Sequence, residues 1–420
     1  MNNILARKYY FIPLSSARYY LYLFLLWPFL AFLLAVKNYS QKESRVVVYL
    51  FLIYFGLTYV VPLGSFNDAV RYAMQLKTNA LLPFSDIFKI VGGLYSSDTS
   101  VDFVEPLISF IVSRFTSNKS ILFAAYTALF GFFYLKSIGL LYRRVMKTNG
   151  INSIIHLAFF TAILPVTAIN GFRMWTAAWI FFYGAYHVVL YRDARYLLLT
   201  ISASLVHFSF LTANLILIIY YLAGNRNYIY LPMALISFVV PHLIAPAFQS
   251  ISTVLGGGFQ SRFESYTGED YMAARHEAFQ QTAWFLKIGY DLVWYYLMFA
   301  IIFIQLRYSS YMKQKEERNL FSFILLFLTF VNFGTAIPSF GGRFLIVFFL
   351  FATLYLVMFF AKSEGNRLHL LSWFGLFPMV LFAAIVFRQG AESINAWIFA
   401  PGFGLPFFAP DVSVADLLFN

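Results

Sequence analysis

Residues 170–210 read NGFRMWTAAWIFFYGAYHVVLYRDARYLLLTISASLVHFSF. Two apolar runs flank a basic turn, Arg192-Asp193-Ala194-Arg195, a pattern that predicts two membrane helices joined by a short loop. Arg173 stands at the mouth of the first helix. His207 lies about eleven residues up the second, roughly 16 Å from its start at 1.5 Å per residue. An ionisable group at membrane depth costs about 2.5–3.5 kcal/mol or more unless something offsets it. Two such groups on neighbouring helices predict one wall of a polar site.

Working outward, the rest of the chain has the same character. Of its 420 residues, 61% are hydrophobic and 11% are charged, whereas a soluble domain is about a quarter charged. Apolar runs of about 17–22 residues recur from end to end, enough to cross a hydrocarbon core of about 30 Å. The expected fold class is all-α, a polytopic integral membrane protein with about 12 transmembrane or re-entrant helices. They are placed near 18–36, 46–63, 121–141, 151–169, 174–191, 196–208, 209–223, 228–248, 288–306, 320–337, 344–361 and 369–387. The stretch 196–223 holds no loop and fits one long tilted helix or a short re-entrant hairpin; the hairpin keeps the loop charges on consistent sides and is the preferred reading. No internal repeat or soluble domain stands out, so residues 1–420 form a single membrane domain. The absence of cysteine excludes disulfides and thiol chemistry. The N-terminus shows no small-residue cleavage site, and the first span is expected to act as the targeting element.

A net charge of +12 is not read as a nucleic-acid signal, because the cations sit in short loops. Loops 37–45, 142–150, 192–195, 224–227, 307–319 and 362–368 together carry 15 Lys and Arg. All fall on one side of the span assignment, which is therefore expected to be cytoplasmic. Arg7, Lys8 and Arg18 run against this bias. Two long segments, 64–120 and 249–287, are then expected outside, the second as a lid.

Several residues could carry chemistry. Asp68 and Arg71 share a helix face if their segment is helical, with Tyr72 and Gln75 extending it. The plainer explanation is a local ion pair. Glu105-Pro106 opens an apolar run too short to cross, where a carboxylate suits a helix N-terminus. Arg173 follows Asn170-Gly171-Phe172, and Arg343 repeats the arrangement after Gly341-Gly342. Snorkelling explains an arginine at a span end, but positive-inside bias disfavours two on the outer side. A guanidinium fork suits a phosphate or pyrophosphate. His207 fits either a satisfied buried histidine or a proton-transfer role. Arg262, Glu264, Glu269, Asp270, Arg275, His276 and Glu277 read mainly as a solvated loop. Gln280 stands where a zincin-type motif needs its second histidine, so no metal site is expected.

The order Asn67-Asp68, Arg71-Tyr72, Glu105-Pro106, Arg173 and His207-Phe208-Ser209 resembles the EpsG-type branch of the Wzy polysaccharide polymerases. That family carries Asp-Tyr, Glu-Pro-Gly, Arg-Gln and His-Ser elements in this order. Here Ala69, Leu107 and Met174 replace the second, third and second residues of the first three elements. The resemblance covers about 46–215, with an echo at Arg343. It implies a GT-C-like, metal-independent membrane glycosyltransferase without a cofactor. Such an enzyme joins undecaprenyl-diphosphate-linked oligosaccharide repeats on the outer face of the bacterial cytoplasmic membrane. It implies a polyprenyl-diphosphate-linked oligosaccharide as partner, along with the bilayer, a flippase and a chain-length regulator. On this reading Arg173, Arg343 and Arg71 hold the pyrophosphate, and Glu105, Asp68 and His207 are the candidate bases. Tyr72, Arg262 and Arg275 would touch substrate. A lipid-linked-sugar flippase, an O-antigen ligase and a membrane acyltransferase are the rivals. A flippase should show polar groups from both sides and internal repetition.

Overall fold

The computed structural model describes residues 17–62, 68–88, 102–148, 150–240, 283–335, 338–362 and 369–419, with isolated positions between 268 and 281. Among the described residues there is no strand, only a single backbone bridge between Asn395 and Ser413. In chain order the helices are α1 (Ala17–Leu26), α2 (Pro28–Lys37), α3 (Lys42–Leu57), α4 (Asp68–Ala80), α5 (Val104–Ser113), α6 (Lys119–Thr148) and α7 (Ile151–Ile163). They continue with α8 (Phe172–Tyr191), α9 (Arg195–Val206), α10 (Phe210–Ala223), α11 (Asn227–Val239), α12 (Trp284–Tyr308), α13 (Lys315–Gly334), α14 (Pro338–Phe360) and α15 (His369–Gly390).

Among the described residues, five helical stretches are long and apolar enough to cross a membrane: Lys119–Thr148, Ile151–Tyr191, Trp284–Tyr308, Phe340–Phe360 and His369–Ser393. The chain is a multi-pass α-helical membrane protein. The expected span at 18–36 is instead two short helices, broken at Trp27 because Pro28 supplies no backbone N–H. α13 begins at Lys315 rather than 320, because Gln314 and Glu317 cap its first turn reciprocally. The run 196–223 is interrupted at His207, whose backbone is extended. α9 and α10 fold back on each other there. Asn214 on α10 donates from Nδ2 to the Thr200 carbonyl at 2.8 Å and to Ser204 Oγ at 3.0 Å on α9.

Packing between membrane helices favours small residues at close crossings. A Cβ at Gly184 on α8 would lie 2.5 Å from Thr200 Cγ2, which fixes how closely α9 approaches. Phe340–Phe360 is 89% buried inside the protein, so α14 is sheathed by other helices rather than by lipid. Phe182, Phe323 and Phe327 close around its Phe351 at ring separations of 5.0, 5.0 and 5.7 Å. Residues 391–419 lie over the first helices: Tyr54 donates to the Phe403 carbonyl at 2.9 Å, and Trp27 Nε1 to the Phe399 carbonyl at 2.9 Å.

The six basic loops meet at one end. Tyr39 stacks edge-on against Tyr142 at 5.1 Å. Arg144 pairs with Glu316 at 2.6 Å, and Lys362 with Glu317. Asn225 donates to Asn319 at 2.8 Å, and Arg192 donates to the Tyr220 and Tyr221 carbonyls. Because 14 of the 15 loop cations lie among the described residues there, a reporter fused within 307–319 is expected in the cytoplasm. One fused within 249–287, a segment largely outside the described residues, is expected outside. The reverse pattern would turn the molecule over.

Candidate active site

The polar residues converge at the end away from the basic loops. α8 starts at Phe172, so Arg173 lies in its first turn and projects inward; its side chain is only 19% exposed. α9 rises from the basic end and stops after twelve residues, or about 18 Å at 1.5 Å per residue. His207 occupies the break.

Asp102 joins the two. The residues before α5 reach down to the open end of α9, where Phe103 N–H donates to the Leu205 carbonyl at 2.8 Å. This places the Asp102 carboxylate between three donors. Arg173 Nη1 donates to Oδ2 at 2.9 Å, His207 Nδ1 lies 3.1 and 3.2 Å from the two oxygens, and Phe208 N–H donates to Oδ1 at 2.8 Å. Asp102 is 3% exposed and His207 5%, so two potential cations and one anion share a desolvated pocket. Burial raises the Asp102 carboxyl pKa, but His207, Arg173 and the Phe208 N–H outweigh it and hold the group down at about 2. A carboxylate only accepts, so the His207 proton belongs on Nδ1, leaving Nε2 as an acceptor.

α4 and α5 form a second wall. Arg173 Nε donates to Tyr72 Oη at 3.2 Å, and Nη2 lies 3.8 Å from Asp68 Oδ2. Arg71 holds Asp68 at 2.7 Å from a largely exposed position. The expected Asp68–Arg71 pair therefore exists and is also tied to Arg173. Arg114 keeps the wall together by donating to the Asn79 and Leu82 carbonyls at the end of α4. Glu105, in the first turn of α5, is buried, and Tyr126 Oη donates to it at 2.9 Å. Burial raises the Glu105 pKa, while Tyr126 and Arg173 pull it down by less. Tyr126 is itself stacked on Phe172 at 4.0 Å.

Arg343 occupies the corresponding place on α14. Phe344 packs on Phe210 at 5.2 Å, three residues beyond His207. Among the described residues no carboxylate pairs with Arg343. Arg262, Arg275, His276 and most of the lid segment lie outside the described residues; Glu277 is described and accepts from Gln281 Nε2 at 3.2 Å.

A cavity of about 180 Å³ is lined by none of these groups but, among others, by Thr167, Asn170, Trp175, Tyr290, Ile346 and Gln389. Trp175 is two residues from Arg173, and Ile346 is one turn beyond Arg343. No lining residue is charged. At roughly 30 Å³ per water the volume equals about six waters, which suits one sugar ring. Aromatic faces with amide and hydroxyl groups are the chemistry that a neutral saccharide needs.

Sequence reasoning brought Asp68, Arg71, Tyr72, Glu105, Arg173, His207 and Arg343 to this end, but missed Asp102. The signal was present: an Arg and a His at membrane depth demand a carboxylate, and Asp102 stands three residues before Glu105. Choosing it over Asp98 required the docking of Phe103 on Leu205.

A family model described as the EpsG family matches residues 81–398. The match takes in Asp102, Glu105, Arg173, His207 and Arg343, and starts after Asp68, Arg71 and Tyr72. No curated protein and no solved structure matches the chain.

Proposed function

Because the chain belongs to the EpsG family of polysaccharide polymerases, we propose that it joins polyprenyl-diphosphate-linked oligosaccharide repeats. The reaction would take place on the outer face of a bacterial cytoplasmic membrane. The observation that carries this reading is the buried Arg173–Asp102–His207 chain, at the end opposite the basic loops.

In the reaction, an acceptor sugar hydroxyl attacks the anomeric carbon of the donor. The new glycosidic bond forms, and the carbon–oxygen bond to the diphosphate breaks. The diphosphate leaves with the bonding electron pair, and the hydroxyl proton passes to a base. His207 is our choice for that base. Asp102 fixes its tautomer and stabilises the imidazolium that forms, as an orienting carboxylate does in other acid–base dyads. Glu105, held by Tyr126, is the second choice. Asp68 fits worse, since Arg71 and Arg173 already engage it.

Arg173, Arg343 and Arg71 supply the positive charge that meets the developing diphosphate. Asp68, at 3.8 Å, is the loosest partner of Arg173 and the one a diphosphate oxygen would displace. The uncharged cavity beside Trp175 would hold a sugar ring. This arrangement favours a polymerase over a flippase, because an arginine and a proton acceptor meet in one buried chain.

The test is purified protein incubated with a diphosphate-linked repeat unit, with product length read on a gel. A ladder of polymer is expected, and it should persist in EDTA, since the arginines supply the charge neutralisation. Unchanged single repeats under all conditions would refute the polymerase reading. Loss with EDTA, restored by one divalent ion, would refute the arginine-only account of the leaving group.

A further inference from the structure

A second polar cavity lies at the opposite end, among the basic loops. It encloses about 470 Å³ between Asn227 at the head of α11, Gln305 and Ser309 at the end of α12, Met312 and Lys313 in the loop, and Arg318 and Phe321 on α13. Two cations, two amides and a hydroxyl line it, and no carboxylate does.

Positive-inside bias explains why cations are in this loop, but not why two converge on one cavity. Three other basic groups at this end are paired. Arg144 pairs with Glu316, Lys362 with Glu317, and Arg195 with Asp193. Those pairings turn Glu316 and Glu317, the acids nearest Arg318 in sequence, toward other partners. Among the described residues, Lys313 and Arg318 have no ion-pair partner.

The inner wall is built as well. Ser322 donates to Asn227 Oδ1, which leaves the Asn227 amide N–H₂ available as a donor. Gln305 is fixed by its bond to Tyr355. Met312 and Phe321 give the cavity an apolar side. Next to Gln305, Leu306 is 77% exposed, as a lipid-facing residue would be.

We propose that this cavity binds a phosphate group, and that its source is the headgroup of an anionic phospholipid in the leaflet that the basic loops face. Arg318 presents a fork to the phosphate oxygens and Lys313 a point charge. The amides and Ser309 meet the polar headgroup, while Met312 and Phe321 meet the start of the acyl chains. Free inorganic phosphate shares the charge but has no use for the apolar side.

The experiment uses full-length protein in lipid nanodiscs. Phosphatidylglycerol and phosphatidylcholine are titrated separately, and bound lipid is counted by native mass spectrometry. Phosphatidylglycerol should bind in preference, and Lys313→Gln with Arg318→Gln should weaken it roughly twentyfold, given the attraction of two cations to an anionic lipid. Lys315→Gln, which removes a neighbouring charge outside the cavity, should leave binding within about twofold of wild type. Equal weakening by Lys315→Gln would reduce the effect to net charge and overturn the site. Retained preference in the double variant would also overturn it. Inorganic phosphate that binds where phosphatidylglycerol does not would overturn the lipid assignment. A thermal melt of each variant separates lost binding from lost fold, and no readout depends on polymerisation.

Discussion

Asp102→Asn is expected to leave repeat units unpolymerised while the protein still reaches the membrane. Asparagine keeps the shape and one acceptor oxygen, so the Phe208 N–H retains its partner. The charge is what disappears. Arg173 at 2.9 Å and His207 at 3.1 Å then lose the anion they share. Breaking a buried ion pair by removing one partner costs about 3–5 kcal/mol, because it leaves an uncompensated charge. His207 also loses the group that orients its tautomer, so polymer should fall by a factor of roughly 10²–10⁴. The readouts are polymer length on a gel and protein level in membranes. If the two residues act as one unit, Asp102→Asn with His207→Gln should be little worse than either alone. Additive losses would separate them, and full-length polymer from Asp102→Asn would remove Asp102 from the mechanism. With its pKa held at about 2, Asp102 is ionised throughout the working range. An acid limb in the activity profile must therefore come from another group.

How far the sequence could be read depended on distance along the chain. Helices, and which loops share an end, are local properties, set by runs of apolar residues and by cations in the loops between them. Those were legible, and so was the separation of the basic end from the Arg173 end. The helix break at His207 was legible in part, since a largely apolar run of 28 residues without a loop exceeds one crossing. The partner of His207 was not, because Asp102 is 105 residues away. Its placement depends on a stretch of chain docking against the open end of a half-helix. Such a contact leaves no periodicity to read. The Trp175 cavity was illegible for the same reason: its lining comes from α7, α8, α12, α14 and α15. Aromatic abundance alone, with 52 Phe and 30 Tyr, could not single out one ring.

The arginines separate an active site from topology. A snorkelling arginine uses its stem and its charge, and lysine supplies both. Arg173 uses more than that. Its Nε reaches Tyr72, its Nη1 reaches Asp102, and its Nη2 faces Asp68. One planar fork holds two groups on α4 and one on the stretch before α5, and an ammonium on a flexible stem cannot reproduce that geometry. Arg343 tests the other half of the idea, since among the described residues it has no carboxylate partner and stands free for a ligand. Arg173→Lys and Arg343→Lys are each expected to express and insert normally, yet to lose about 10²–10³ in rate. That corresponds to roughly 2.7–4 kcal/mol for one lost contact in the transition state. Arg226→Lys is the control. Its Nε donates only to the Ala223 carbonyl from an exposed position at the basic end, and lysine there should be silent. The two active-site variants should also differ from each other. Arg173→Lys disturbs Asp102 and therefore His207, so it should move the pH dependence of the rate. Arg343→Lys should lower the rate without moving it. Full-length polymer from both variants would return both arginines to the membrane interface. A loss confined to Arg173→Lys would leave Arg173 as the organiser of the Asp102–His207 pair and take Arg343 off the diphosphate.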